Sequence, residues 1–161
     1  MPSSTQHGQI SGPSLTDQVI DALPDWITHL IQINSLVADR MGLVVTDFHC
    51  LHVLQQDGPT TTGALANRVG LTPGAASRMV DRLVAAGCVK RVSDAADRRR
   101  VLVEATDEGL ERANAHYAGL TARTREDLAA FGEDQLRALL QFIRLSECSA
   151  LAEVRRLRAE R

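Results

Sequence analysis

Residues 61–105 read TTGALANRVGLTPGAASRMVDRLVAAGCVKRVSDAADRRRVLVEA, and this stretch leaves few folds open. It divides into a short helix, a tight turn, a second helix and a hairpin whose tip carries Asp97-Arg98-Arg99-Arg100. Thr62 stands where a helix cap is wanted, and Ala64, Leu65 and Val69 are expected to face inward. Gly70 ends the first helix, because glycine enters the left-handed region at little cost. Thr72 caps the second helix, and Pro73 fills its first turn, where no amide donor is needed. Ala76, Val80, Leu83 and Val84 recur at spacings of three and four, which predicts one buried face. Pro73, Gly74, Ser77, Arg78 and Asp81 fall largely on the opposite face, and Gly87 closes the helix. A helix, a turn, a helix and a basic loop in this order have the geometry that lays a helix in the major groove of duplex DNA.

Charge is distributed accordingly. The whole chain has a formal net charge of −2, so bulk charge argues nothing for nucleic acid. Between Thr60 and Glu104, however, eight basic residues (Arg68, Arg78, Arg82, Lys90, Arg91, Arg98, Arg99 and Arg100) face four acids. The module is +4 and the remainder −6. A local basic patch on an acidic chain is an electrostatic footprint for phosphate. An arginine run alone fits a solvated hairpin equally well; the two helices before it favour the phosphate reading.

The flanks read as helices. From Thr16 to Met41, Ile20, Leu23, Ile27, Leu30, Ile31, Val37 and Met41 keep helical spacing. Pro24 lies inside the run, so a break, or a proper start, is expected there. Thr46 is the expected cap of the next helix, with Phe48, Leu51 and Leu54 on its apolar face and Gly58-Pro59 as its stop. Thr106-Asp107-Glu108 opens a long helix with a cap and two acids in the first turn. It runs to about Ala130, and after Gly132 a last helix runs from Glu133 toward Leu157. On that helix Leu136, Leu139, Leu140, Ile143, Cys148, Leu151 and Val154 form a wide apolar stripe, which needs a partner surface. The economical expectation is a homodimer that presents two reading heads to two half-sites.

Composition sets bounds on the rest. With 161 residues, 44% of them apolar, the chain can bury a core of Leu, Val, Ile and Ala. No apolar run approaches the roughly 18 residues that span a bilayer. The N-terminus MPSSTQHGQISGPS lacks secretory-signal features, and a disordered tail and a cytoplasmic location are expected. Cys50, Cys88 and Cys148 are odd in number and form no CxxC pair, which suggests reduced and buried thiols.

Starting at Leu51, the segment LxxLxQxGPTTTGALANRVGLTPGAASRMVDRLVAAGCVKRVSDAADRRRVLVEATDEG resembles the MarR family of winged helix-turn-helix transcriptional regulators. The resemblance rests on Leu65-Ala66, Val80-Asp81-Arg82-Leu83, Gly87, Asp94-x-x-Asp97-Arg98-Arg99, Val103 and Thr106-x-x-Gly109. In helix order it extends over about residues 16–158. Two departures stand out: Cys88 where a larger apolar residue is usual, and Ala95-Ala96 without the frequent wing proline.

The resemblance implies a mostly α fold with a small β wing. A disordered tail would occupy 1–15, an N-terminal dimerisation helix 16–45, the DNA-binding domain 46–105 and C-terminal dimerisation helices 106–161. It implies a recognition helix from about Pro73 to Ala86, with Thr72, Pro73, Gly74, Ser77, Arg78 and Arg82 among its DNA contacts. Arg99 would enter the minor groove, where the potential is strongly negative. Asp97 would orient Arg99, and Arg98 and Arg100 would contact phosphates. At the hairpin tip, the Asp97 carboxylate is expected to accept from the Arg99 guanidinium.

The resemblance also implies a small-molecule effector cleft, with Trp26, His29, Ile33, His49, His52, His116 and Tyr117 as candidates; core packing is the competing role for Trp26 and the apolar residues. His49 and His52 share a helix face, but no third ligand stands at metal spacing, so neither metal nor cofactor is expected. Thiol-based redox sensing and a winged-helix interaction module that never touches DNA are the alternatives. Nothing in the chain has the spacing of a nucleotide loop or a catalytic triad, so an enzyme is not expected.

Overall fold

A computed structural model describes residues 12–160. Helix α1 spans Leu15–Arg40, α2 Val45–Asp57, strand β1 Thr60–Thr61, α3 Thr62–Val69 and α4 Pro73–Ala85. Strands β2 (Val89–Ser93) and β3 (Val101–Ala105) follow, then α5 (Asp107–Leu128) and α6 (Glu133–Ala159). The molecule is thus mostly helical with one small antiparallel sheet, of order β1-β3-β2. β3 is the central strand: Val103 sits opposite Thr60 on one side and Arg91 on the other. The described residues form two compact units that divide between Ala113 and Asn114.

The first unit holds the core. Leu51 and Leu54 of α2, Leu65 of α3, Met79, Val80 and Leu83 of α4, and Val103 of β3 are all buried. α4 packs against α2, α3 and β2, so three elements set its position. Its inward row is Ala76, Met79, Val80 and Leu83. Val84, expected inside, is exposed, and Met79 takes the inward place instead. The spacing admits either residue; the packing of α4 against α2, α3 and β2 buries Met79. On α3, Leu65 and Ala66 are buried, Val69 is half-buried, and Ala64, expected inside, is exposed.

Several boundaries differ from the sequence expectation, each for a local reason. The cap of α3 is Thr61, not Thr62: its side chain accepts from the Ala64 amide. α2 starts at Val45 behind Val44, with no side-chain cap, and Thr46 lies inside the helix. α1 does not break at Pro24. Proline there forfeits one backbone donor, and the surrounding turn is exposed, so water can serve the freed carbonyl. The Thr28 hydroxyl also donates to the Pro24 carbonyl at 2.8 Å. α1 begins at Leu15 behind a Ser14–Asp17 capping box, so the helix reaches into the expected tail; residues 1–11 of that tail lie outside the described residues. β1 was not anticipated, since two residues carry no periodicity.

The start of α5 is locked onto the turn that follows α4. The Thr106 hydroxyl donates to the Gly87 carbonyl at 2.6 Å and accepts from the Gly109 amide at 3.0 Å, and the Thr106 amide donates to the Cys88 carbonyl. A Cβ on Gly109 would stand 2.7 Å from the Cys88 Cα, so only glycine fits there. The Thr106-x-x-Gly109 signature is therefore a close-approach device.

In the second unit, the Gly132 amide donates to the Gln135 side chain at the start of α6. No residue of α6 is buried within the single chain. Leu140, Ile143, Leu145, Leu151, Val154 and Leu157 are all exposed, as are Ile20, Ile27 and Ile31 on α1. No described helix is long and apolar enough to cross a membrane.

Candidate nucleic-acid interface

α4 starts as its sequence dictates. The Thr72 hydroxyl accepts from the Ala75 amide, Pro73 takes the first position, and Gly87 ends the helix at φ 70°. Thr72, Pro73, Gly74, Ser77, Arg78, Asp81 and Arg82 all lie exposed along its outer side.

The hairpin tip is closed by its own residues. The Asp94 amide donates to the Arg100 carbonyl, and the Arg100 amide to the Asp97 carbonyl. Two carboxylates cap backbone amides two residues on: Asp94 accepts from Ala96 at 2.9 Å, and Asp97 from Arg99 at 3.0 Å. These are Asx turns, in which a short acid replaces a backbone acceptor. The expected pairing of the Asp97 carboxylate with the Arg99 guanidinium is thus corrected: Asp97 holds the backbone of Arg99, not its side chain. The reason is reach, since the amide two residues on lies within a one-carbon side chain's radius.

Ion pairs sort the basic residues of the module. Arg68 pairs with Asp57, Lys90 with Glu104, Arg91 with Asp81 and Arg100 with Asp94. Arg82 grips Asp47 with two bonds of 2.7 Å, Nε to Oδ2 and Nη2 to Oδ1. That leaves Arg78, Arg98 and Arg99 as the cations of the module with no ion-pair partner among the described residues. One sits on the outer face of α4 and two on the hairpin tip.

Sequence reasoning missed Asp47. At 1% exposure it is the buried charged residue of the described core. A usable signal existed: Asp47, Leu51 and Leu54 fall at i, i+4 and i+7, which puts an acid on an apolar face.

The effector candidates are scattered over both units. Trp26, His29 and Ile33 stand on α1, Trp26 and His29 exposed and Ile33 half-buried. His49 and His52 are both exposed on α2. His116 and Tyr117 lie on α5 in the second unit, where partial burial raises the Tyr117 pKa. No group of three or more metal-ligating side chains is found among the described residues.

The cysteines divide. Cys50 and Cys88 are buried, whereas Cys148, expected to be buried, is exposed on α6. Burial, and secondarily the charge of Asp47, pushes the Cys50 thiol up to about 12. Burial also raises that of Cys88. Thiolate is the reactive form, so both should resist attack near neutrality. Iodoacetamide at pH 8 should leave Cys50 and Cys88 unmodified in the native protein and label them only after denaturation, as peptide mass spectrometry would show. Rapid native labelling of Cys50 would contradict its burial.

Two helices joined by a tight turn, followed by a two-stranded hairpin whose strand β3 also pairs with β1 ahead of them, define a winged helix-turn-helix. Residues 43–101 match the model of the MarR family. Over 116 residues, the chain is 29% identical to the uncharacterized HTH-type transcriptional regulator YcgE of Bacillus subtilis, covering 72% of this chain and 75% of that one. The crystal structure of RV1404 from Mycobacterium tuberculosis shares 29% identity, with coverage of 84% and 97% and a TM-score of 0.61. A MepR Q18P mutant from S. aureus, at 17% identity, has the same fold over 81% of this chain and 96% of that one, with a TM-score of 0.67. Residues 43–101 are thus similar to the MarR family of transcriptional regulators, and the chain has the winged helix-turn-helix fold.

Proposed function

We propose that this chain is a MarR-family transcriptional regulator: a ligand-responsive repressor that binds a pseudo-palindromic operator as a homodimer in the cytoplasm. The observation that carries the reading is the sorting of charges: the cations left without an ion-pair partner lie on the outer face of α4 and at the wing tip. In this reading Thr72, Pro73, Gly74, Ser77 and Arg78 face the major groove, Arg99 enters the minor groove, and Arg98 contacts phosphate. The exposed apolar rows on α1 and α6 support a dimer, because such rows are stable in water only when covered. Residues 16–45 and 106–161 then serve dimerisation, and 46–105 serve DNA binding. The effector candidates are Trp26, His29 and Ile33 on α1 and His49 and His52 on α2 in the first unit, and His116 and Tyr117 on α5 in the second.

The test is sedimentation, alone and with a duplex selected from a random pool. The expected result is a dimer at micromolar concentration and two chains per duplex, with half-sites roughly 10 bp apart. A monomer, or one chain per duplex at saturation, contradicts the proposal. No salt-dependent binding to any duplex would favour an interaction module instead.

Arg78 gives a finer test. It lies one turn inside α4, within reach of base edges. Arg78→Ala should cost about 1–3 kcal/mol on the selected duplex and relax preference at one position per half-site. Equal loss on selected and random DNA would reassign Arg78 to phosphate.

A further inference from the structure

The Asp47–Arg82 pair differs from every other ion pair described in the module. The other acids are partly or well exposed, and their pairs close neighbouring surfaces. Asp47 is buried, and its two oxygens take the two prongs of one guanidinium at equal distance. A bidentate grip fixes direction as well as distance. It runs from the first turn of α2 to the last turn of α4, across 35 residues of sequence. Arg82 meanwhile keeps half its side chain in solvent, on the side of α4 that carries Arg78 one turn earlier.

An exposed arginine four residues from Arg78 would ordinarily add a phosphate contact. Here it cannot turn to DNA without leaving a buried carboxylate unpaired, a heavy cost. We infer that Asp47 is a specificity-determining positioning residue: it withholds Arg82 from phosphate and clamps α4 to α2, so that Arg78 is the cation α4 offers to base edges. This rests on the DNA reading proposed above. Its physical logic is subtraction. Each arginine that meets phosphate strengthens binding to all sequences alike, so withholding one keeps affinity for random DNA low, while the clamp, by fixing α4, preserves the base contact that sets the ratio of operator to random affinity.

Two variants test it, each measured by salt titration on a selected and a random duplex with the melting temperature alongside. Asp47→Asn removes the charge at nearly constant size and releases Arg82. The expected result is a steeper salt dependence on random duplex, by about 0.9 in log–log slope for each reading head that gains a contact. With α4 no longer clamped to α2 and Arg78 less well aimed, the ratio of selected to random affinity should fall about tenfold, on the scale of one base contact. Wild-type slope and ratio in a folded Asp47→Asn would overturn the inference. If that variant melts below the assay temperature, the double variant Asp47→Leu with Arg82→Met replaces the pair by apolar groups of similar volume, a change that buried pairs often tolerate. Its random-duplex slope should equal that of wild type. A slope shallower by about 0.9 per reading head would show that Arg82 contacts phosphate, and would overturn the inference. The wild-type titration separates the two claims: with no salt-dependent binding by wild type, the DNA reading falls and takes this inference with it. With wild-type binding intact and the variants contrary, the inference alone falls.

Discussion

Arg99→Ala is expected to abolish most sequence-specific binding while leaving the melting temperature nearly unchanged. Arg99 is exposed at the wing tip, its guanidinium has no ion-pair partner among the described residues, and no core residue depends on it. Its loss should cost about 1–3 kcal/mol per wing, and a dimer would lose two such contacts. Arg99→Lys should rescue little, because a compact ammonium cannot make the planar forked contact. The geometry of Asp97 sharpens the prediction. Its carboxylate accepts from the Arg99 amide, so it shapes the backbone that carries the arginine. Asp97→Asn retains a carbonyl acceptor and should bind nearly as well as wild type. Asp97→Ala does not, and should lose part of the affinity through a loosened tip. Affinities at fixed salt, with melting curves alongside, decide this. Equal losses in Asp97→Asn and Asp97→Ala would mean that the negative charge itself matters. Wild-type affinity in Arg99→Ala would remove the minor-groove role.

Leu83→Ala should have the largest effect on the fold, about 2–5 kcal/mol of unfolding free energy. Leu83 is fully buried on α4, where that helix packs against α2, α3 and β2. Truncation removes apolar contact and leaves a cavity that three elements cannot jointly close. Its neighbour Val84, at 37% exposure, gives the control. Val84→Ala should fall within about 0.5 kcal/mol of wild type, the ordinary range for a surface change. Urea denaturation of both variants is sufficient. Similar costs at the two positions would mean that α4 is rotated from the orientation described.

Much of the fold was legible because its signals are local. Gly70 and Gly87 at positive φ, the Thr72 cap and Pro73 behind it mark the ends of α3 and α4 without reference to the rest of the chain. What periodicity could not resolve was any position where two residues compete for one place. Val84 and Met79 fit the inward row of α4 equally well by spacing, and only the tertiary packing of α4 distinguishes them. Pro24 misled because its penalty depends on whether the freed carbonyl is buried, which the sequence does not state. The basic character of the interface was plain from the arginines. The identity of those left without a partner was not, because the acids that engage the others lie up to 35 residues away in sequence. Asp97 was linked to Arg99 correctly but through the wrong atoms, since a spacing of two cannot distinguish an amide from a guanidinium.

The wing tip closes entirely through bonds among residues 94–100. None of these bonds uses the Arg98 or Arg99 side chain, and none reaches the core. The tip is therefore a separable part, whose shape is written by two aspartates and whose proposed DNA contacts, Arg98 and Arg99, are residues that the shape does not need. Drift at position 98 would leave both the turn and the body of the protein intact. A lineage could retune its grip on DNA there through single substitutions, each viable as a folded protein, without crossing an unstable intermediate.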